Sequence, residues 1–208
     1  MRMKCVTGWV LIAAALLAVM PGTAEAQGFG VKGGVATATL RDNFELTTNI
    51  VGFKGARRFA GGIFFGVGLA AGLSLQPEVL YQQRRADVEV VGIVDPEAGS
   101  WIEATYIEVP LLLKWQTGGT GPAVFAGPSM AFRMNAKSVD KLGDTIDETD
   151  LKEITNGTDF GVVMGAGINF GKFGLEARYT ASLKSFNKDE TGNTLKWATW
   201  NLFASIAF

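Results

Sequence analysis

Residues 161–183 read "GVVMGAGINFGKFGLEARYTASL". Gly165, Gly167 and Gly171 invite comparison with a phosphate-cradling loop that opens a helix. The dinucleotide fingerprint needs G-x-G-x-x-G/A, and from Gly165 its last position is Phe170, so the match fails. The same letters alternate with period 2. Phe173, Leu175, Ala177, Tyr179, Ala181 and Leu183 fall on one face, and Gly174, Glu176, Arg178, Thr180, Ser182 and Lys184 on the other. Only a strand separates Glu176 and Arg178 from Leu175 and Ala177 in this way, because a helix repeats every 3.6 residues. The stretch is two strands joined at Gly171–Lys172.

Working outward, the fingerprint does occur at Gly66–Ala71. It is followed by Gly72 and the alternating "LSLQPEVLY", with Pro77 where a helix interior would lie. Eight alternating segments emerge, roughly 28–40, 58–70, 72–85, 101–117, 121–135, 158–170, 173–185 and 194–208. Their connections alternate in length. Residues 71, 118–120 and 171–172 are short; 41–57, 86–100, 136–157 and 186–193 are long. Transmembrane barrels segregate tight periplasmic turns from long outer loops in this manner, and these strands exceed the ~9–11 residues that cross a bilayer.

The start of the chain reads as an export signal spanning residues 1–26. Arg2 and Lys4 precede an apolar run from Trp9 to Met20, and Ala24-Glu25-Ala26 forms an A-x-A cleavage site. The exported chain, residues 27–208, is expected to begin at Gln27 and to form one domain. Cys5 leaves with the signal, so no disulfide is available. Removing Arg2, Lys4 and Glu25 takes basic residues from 19 to 17 and acids from 20 to 19. That near balance gives no electrostatic footprint for nucleic acid.

Facing identifies the solvent. One face carries large apolar groups such as Phe59, Ile63, Phe65, Val67, Val109, Leu111, Leu113, Met164 and Phe170. The other carries Lys32, Gln76, Glu78, Gln82, Glu108, Lys114, Glu176, Arg178 and Asn201, together with most strand glycines. Apolar outward and polar inward is the membrane arrangement. Trp115, Phe170, Phe173 and Phe208 gather near the short turns, as an interfacial girdle would. The fold expected is an all-β, eight-stranded antiparallel up-and-down transmembrane barrel. A periplasmic lipocalin-like carrier would need the inverted facing.

Five pieces carry a resemblance: "GVKGGVATATL" (30–40), "LSLQPEVLY" (73–81), "YIEVPLLLKW" (106–115), "FAGPSMAF" (125–132) and "GKFGLEARY" (171–179). In this order, spanning the exported chain, they resemble the PorT-type outer-membrane β-barrel domains of Gram-negative bacteria. Trp200, Leu202, Ile206 and terminal Phe208 resemble the last strand by which such proteins are recognised for assembly. The resemblance implies an outer-membrane location, contact with lipid and lipopolysaccharide, and handling by the barrel-assembly machinery. It implies little about activity.

The chain has no histidine. That removes Ser-His-Asp and Cys-His catalysis and most zinc sites, and argues against barrel enzymes with a histidine base. No enzyme activity, cofactor or metal is expected. The inward charges Lys32, Glu78, Glu108, Lys114, Glu176 and Arg178 admit two readings. Glu78 and Glu108 could form an acid–base or cation-binding pair. The favoured alternative is a neutral structural network in a narrow lumen, since buried charges must be paired. Loop 136–157 holds six acids and three lysines but lacks calcium-loop spacing, and reads as a solvated outer loop. The expectation is a monomeric structural or surface-interaction protein with a side-chain-filled lumen. A small-solute channel is the alternative.

Overall fold

The computed structural model describes residues 26–42, 51–90, 98–118, 120–142, 145–187 and 194–208. Ala24 and the rest of the expected export signal before Ala26 lie outside these residues. The described chain forms β1 (Ala26–Asp42), β2 (Val51–Ala70), β3 (Leu73–Val90), β4 (Ala98–Gln116), β5 (Gly121–Leu142), β6 (Thr145–Asp150), β7 (Thr158–Phe170), β8 (Phe173–Ser182) and β9 (Leu195–Ala207). Every pairing is antiparallel. The order β4-β3-β2-β1-β9-β8-β7-β5 closes on itself through β4–β5, so eight strands make the ring. Closure leaves no unpaired edge around the ring, the condition for a sheet to cross lipid.

Some expectations need correction: β2 begins at Val51 and β3 runs to Val90, inside segments expected to be loops. The segment 136–157 is not simply a loop: β5 continues to Leu142, and the short β6 folds back on it without entering the ring. Across this hairpin Lys137 donates to Glu148 at 2.6 Å, which holds the ammonium above its ordinary pKa. Val67, assigned to the outward face, is buried between Ala26 and Leu75 on the flanking strands.

Elsewhere the outward side of the short-turn half is apolar. Phe59, Ile63, Leu113, Trp115, Met164, Phe173, Trp200 and Leu202 all stand exposed. In water a belt of this extent would drive association, so its solvent is lipid. Glycines make room inside. A Cβ on Gly165 would stand 2.5 Å from both the Phe125 ring and the Ala177 carbonyl oxygen, and one on Gly30 would strike the Phe64 ring. Phe64 and Phe125 can enter the lumen because those two positions have no side chain.

The strands run well past the apolar belt. At ~3.3 Å per residue, the 22 residues of β5 extend about 70 Å, more than twice a bilayer's ~30 Å hydrocarbon core. Along that length the same residues keep facing inward, but the polarity of the two faces inverts. On β1, Val31 and Val35 point outward and Lys32 inward, but further up Ala36, Ala38 and Leu40 are buried while Arg41 is exposed. On β3 the outward Val79 and Tyr81 give way to Arg85 and Asp87, and Ala86 is fully buried. The long-loop end is therefore apolar inside and polar outside, the arrangement of a structure bathed in water. Its apolar core contains Leu40, Tyr106, Phe186 and Trp197, with Phe53, Ile102, Leu151 and Leu195 against it.

Candidate functional site

The polar lumen below that core holds most of the buried charge. Adjacent strands fix each side chain's level through their register. Glu78 lies opposite Phe64, Lys32 opposite Gly62 and Ser205, and Glu176 opposite Gly167 and Phe203. Since alternate residues face inward, these groups converge from β1, β3 and β8 on one point near the barrel axis.

The lower cluster centres on Glu78, whose side chain is fully buried. Its Oε1 accepts Lys32 Nζ at 2.8 Å, Gln76 Nε2 at 2.6 Å and Arg178 Nη2 at 3.2 Å, while Oε2 accepts Arg178 Nη1 at 2.8 Å. Glu176 Oε1 accepts Lys32 Nζ at 2.8 Å and also Arg178 Nη2. Aromatic faces complete the enclosure. Lys32 Nζ lies 5.0 Å from the Phe64 ring centre, and the Arg178 guanidinium 5.0 Å from Phe203 and 5.4 Å from Phe125. Such charge-assisted contacts are strong because little water competes for them.

A second cluster lies nearer the long loops. Arg84 donates from Nη1 to Asp159 at 2.8 Å and from Nη2 to Glu108 at 3.1 Å. Its Nε and Nη2 also reach Gln82 Oε1 at 3.3 and 3.2 Å, and its plane lies 4.4 Å from the Tyr106 ring centre. Ser182 donates to Asp159 at 2.5 Å. Between the clusters Gln82 Nε2 donates to Asn201 Oδ1 at 2.7 Å, forming a bar across the lumen.

The six charges singled out from sequence thus do not form one network. Lys32, Glu78, Glu176 and Arg178 meet. Glu108 pairs with Arg84 in the upper cluster, whereas Glu78 pairs with Lys32 and Arg178 in the lower one. Lys114 joins neither cluster by an ion pair among the described residues; it borders a cavity at the short-turn end. Arg84 and Asp159 are central but were not selected. Both were accessible to period counting, since Arg84 continues the inward series Gln76, Glu78, Gln82, and Asp159 shares parity with Gly161 and Gly165.

Above both clusters the long-loop segments close the barrel. Phe186 packs edge-on against Trp197 with centroids 5.5 Å apart. Asn156 Nδ2 donates to the carbonyls of Ser185 at 2.8 Å and Asn187 at 2.9 Å. Arg133 donates to Thr155 and to the Lys152 carbonyl, tying 151–157 to β5. At the opposite end Phe208 faces outward and stacks on Phe29 at 6.2 Å, while Leu202 and Trp200 face outward further up β9. Among the described residues no cluster of three or more His, Cys, Asp or Glu side chains is placed to hold a metal ion.

Solved structures with the same architecture include Ail, the attachment invasion locus protein of Yersinia pestis, in complex with the heparin analogue sucrose octasulfate. It is 14% identical, with TM-score 0.51, over 87% of this chain and 99% of that one. Neisserial surface protein A is likewise 14% identical, with TM-score 0.51, over 88% of this chain and 99% of that one. At such identities the likeness concerns the fold alone. No curated protein matches the chain in sequence. A family model described as "Outer membrane protein beta-barrel domain" matches residues 25–187. Closed ring, apolar belt and family match agree: the chain belongs to the outer-membrane β-barrel domain family and is an integral outer-membrane protein.

Proposed function

We propose that this protein is a closed scaffold, non-enzymatic and monomeric, that holds a folded platform above the outer membrane. The platform meets ligands, envelope components or partner proteins. The observation that carries this reading is the three-level obstruction of the lumen: the Glu78 cluster, the Arg84 cluster and the apolar core around Trp197. A conducting path would have to break buried ion pairs and displace packed aromatics. The extension itself, apolar inside and charged outside, is built to stand in water. Membership of the PorT-type branch is part of the proposal, supported by the ordered pieces from "GVKGGVATATL" to "GKFGLEARY". So are contact of the belt with lipid and lipopolysaccharide, and recognition of Trp200, Leu202, Ile206 and Phe208 by the assembly machinery.

Planar-bilayer recording on the purified protein tests the reading. The expected result is no steady conductance above the lipid baseline, together with protease-sensitive extensions on intact cells. Stable single-channel steps that change ion selectivity in Glu176→Ala would replace the scaffold with a small-solute channel.

A further inference from the structure

The short-turn end of the lumen is open where the long-loop end is shut. A cavity of about 500 Å³ lies below the Glu78 cluster, within the ~300–1,000 Å³ of small-molecule sites. Its rim is lined by the turn glycines Gly72, Gly118 and Gly171 and the wall glycine Gly174. Its charges are unevenly matched. Lys32, Lys114 and Lys172 border it with a single carboxylate, Glu176. That carboxylate is already engaged, since Glu176 Oε1 accepts from both Lys32 and Arg178. Glu78 is likewise committed to Lys32, Arg178 and Gln76.

Lys114 is therefore the cation left over. It projects inward from β4 beside Phe125, half-buried, and no carboxylate lies within ion-pair distance of it among the described residues. The wall amides do not neutralise it. Gln116 Nε2 donates to the Gly118 carbonyl, and Asn169 donates to Gln116 Oε1. A positive charge in a recess with protein walls attracts anions more strongly than one on open surface, because less water screens it.

We propose that this vestibule binds small solutes bearing a carboxylate or phosphate group, admitted from the short-turn side. The Lys114 ammonium is the anchoring charge, and Lys172 at the rim draws the anion in. The plug above makes the site a dead-end pocket, so occupancy needs no transport.

Isothermal titration calorimetry on the full exported chain, folded in zwitterionic micelles, tests this with two probes, inorganic phosphate and succinate. Sodium chloride at matched ionic strength is the blank. Saturable binding of at least one probe beyond the blank is expected; phosphate alone assigns the site to phosphate groups, succinate alone to carboxylates. Lys114→Gln should weaken binding at least tenfold and Lys172→Gln about threefold, while Lys141→Gln, in the distant β5–β6 hairpin, should leave it unchanged. Lys172 sits on an exposed turn, so its variant reports even if Lys114→Gln fails to fold. No saturable heat with either probe in the wild type, or equal affinity in Lys114→Gln and wild type, overturns the proposal.

Discussion

Removing Glu78 should destabilise the barrel more than removing any other carboxylate in the lower cluster or the outer hairpin. In Glu78→Ala, two buried cations lose their main partner: Lys32 loses a 2.8 Å contact, and Arg178 loses contacts at 2.8 and 3.2 Å. One carboxylate, Glu176, is left for both. Stranding buried charge in this way costs about 3–5 kcal/mol. Glu176→Ala is milder, because Glu78 still holds both cations and water from the vestibule reaches the gap. The loss there is of hydrogen bonds to charged groups, about 1.5–3 kcal/mol. Glu148→Ala removes only the exposed partner of Lys137 and should cost at most about 1 kcal/mol. Urea titration of each variant folded into phospholipid vesicles, followed by tryptophan fluorescence and heat-modifiable migration, gives the ranking Glu78, then Glu176, then Glu148. A Glu78→Ala loss no larger than that of Glu148→Ala would show that the cluster is hydrated and not a buried plug.

Two further outcomes follow from the same geometry. An epitope inserted at Asp147 in β6 should be labelled on intact cells, and one at the Gly171–Lys172 turn only after the outer membrane is opened; reversed labelling would invert the orientation. Gly165→Ala should lower stability by about 1–3 kcal/mol through forced overpacking, since its Cβ would meet the Ala177 carbonyl and the Phe125 ring. Gly157→Ala, with open space around it, should change stability by no more than about 0.5 kcal/mol. The unfolding titration that ranks the carboxylates reads both.

Several levels of this protein are legible in its residues alone. Alternation at 173–183 admits a strand and no helix, and the same period repeated with short and long connections specifies a closed up-and-down ring. The apolar partners of that alternation, from Phe59 to Leu202, require lipid as solvent. What the alternation cannot carry is the sign of a face where the solvent changes. Above the belt the same period 2 continues, but the inward positions change from Lys32 and Glu78 to Ala38, Leu40 and Ala86 because water now lies outside. Only the paired strands show where that inversion falls. Nor can spacing tell which inward charges meet. Contact across a lumen depends on stagger between strands far apart in sequence, and stagger joined Lys32 to Glu176, 144 residues away. It sent Glu108 to Arg84 and left Lys114 facing the vestibule. Local periodicity is a property of one strand, whereas a charge's partner is a property of the closed ring.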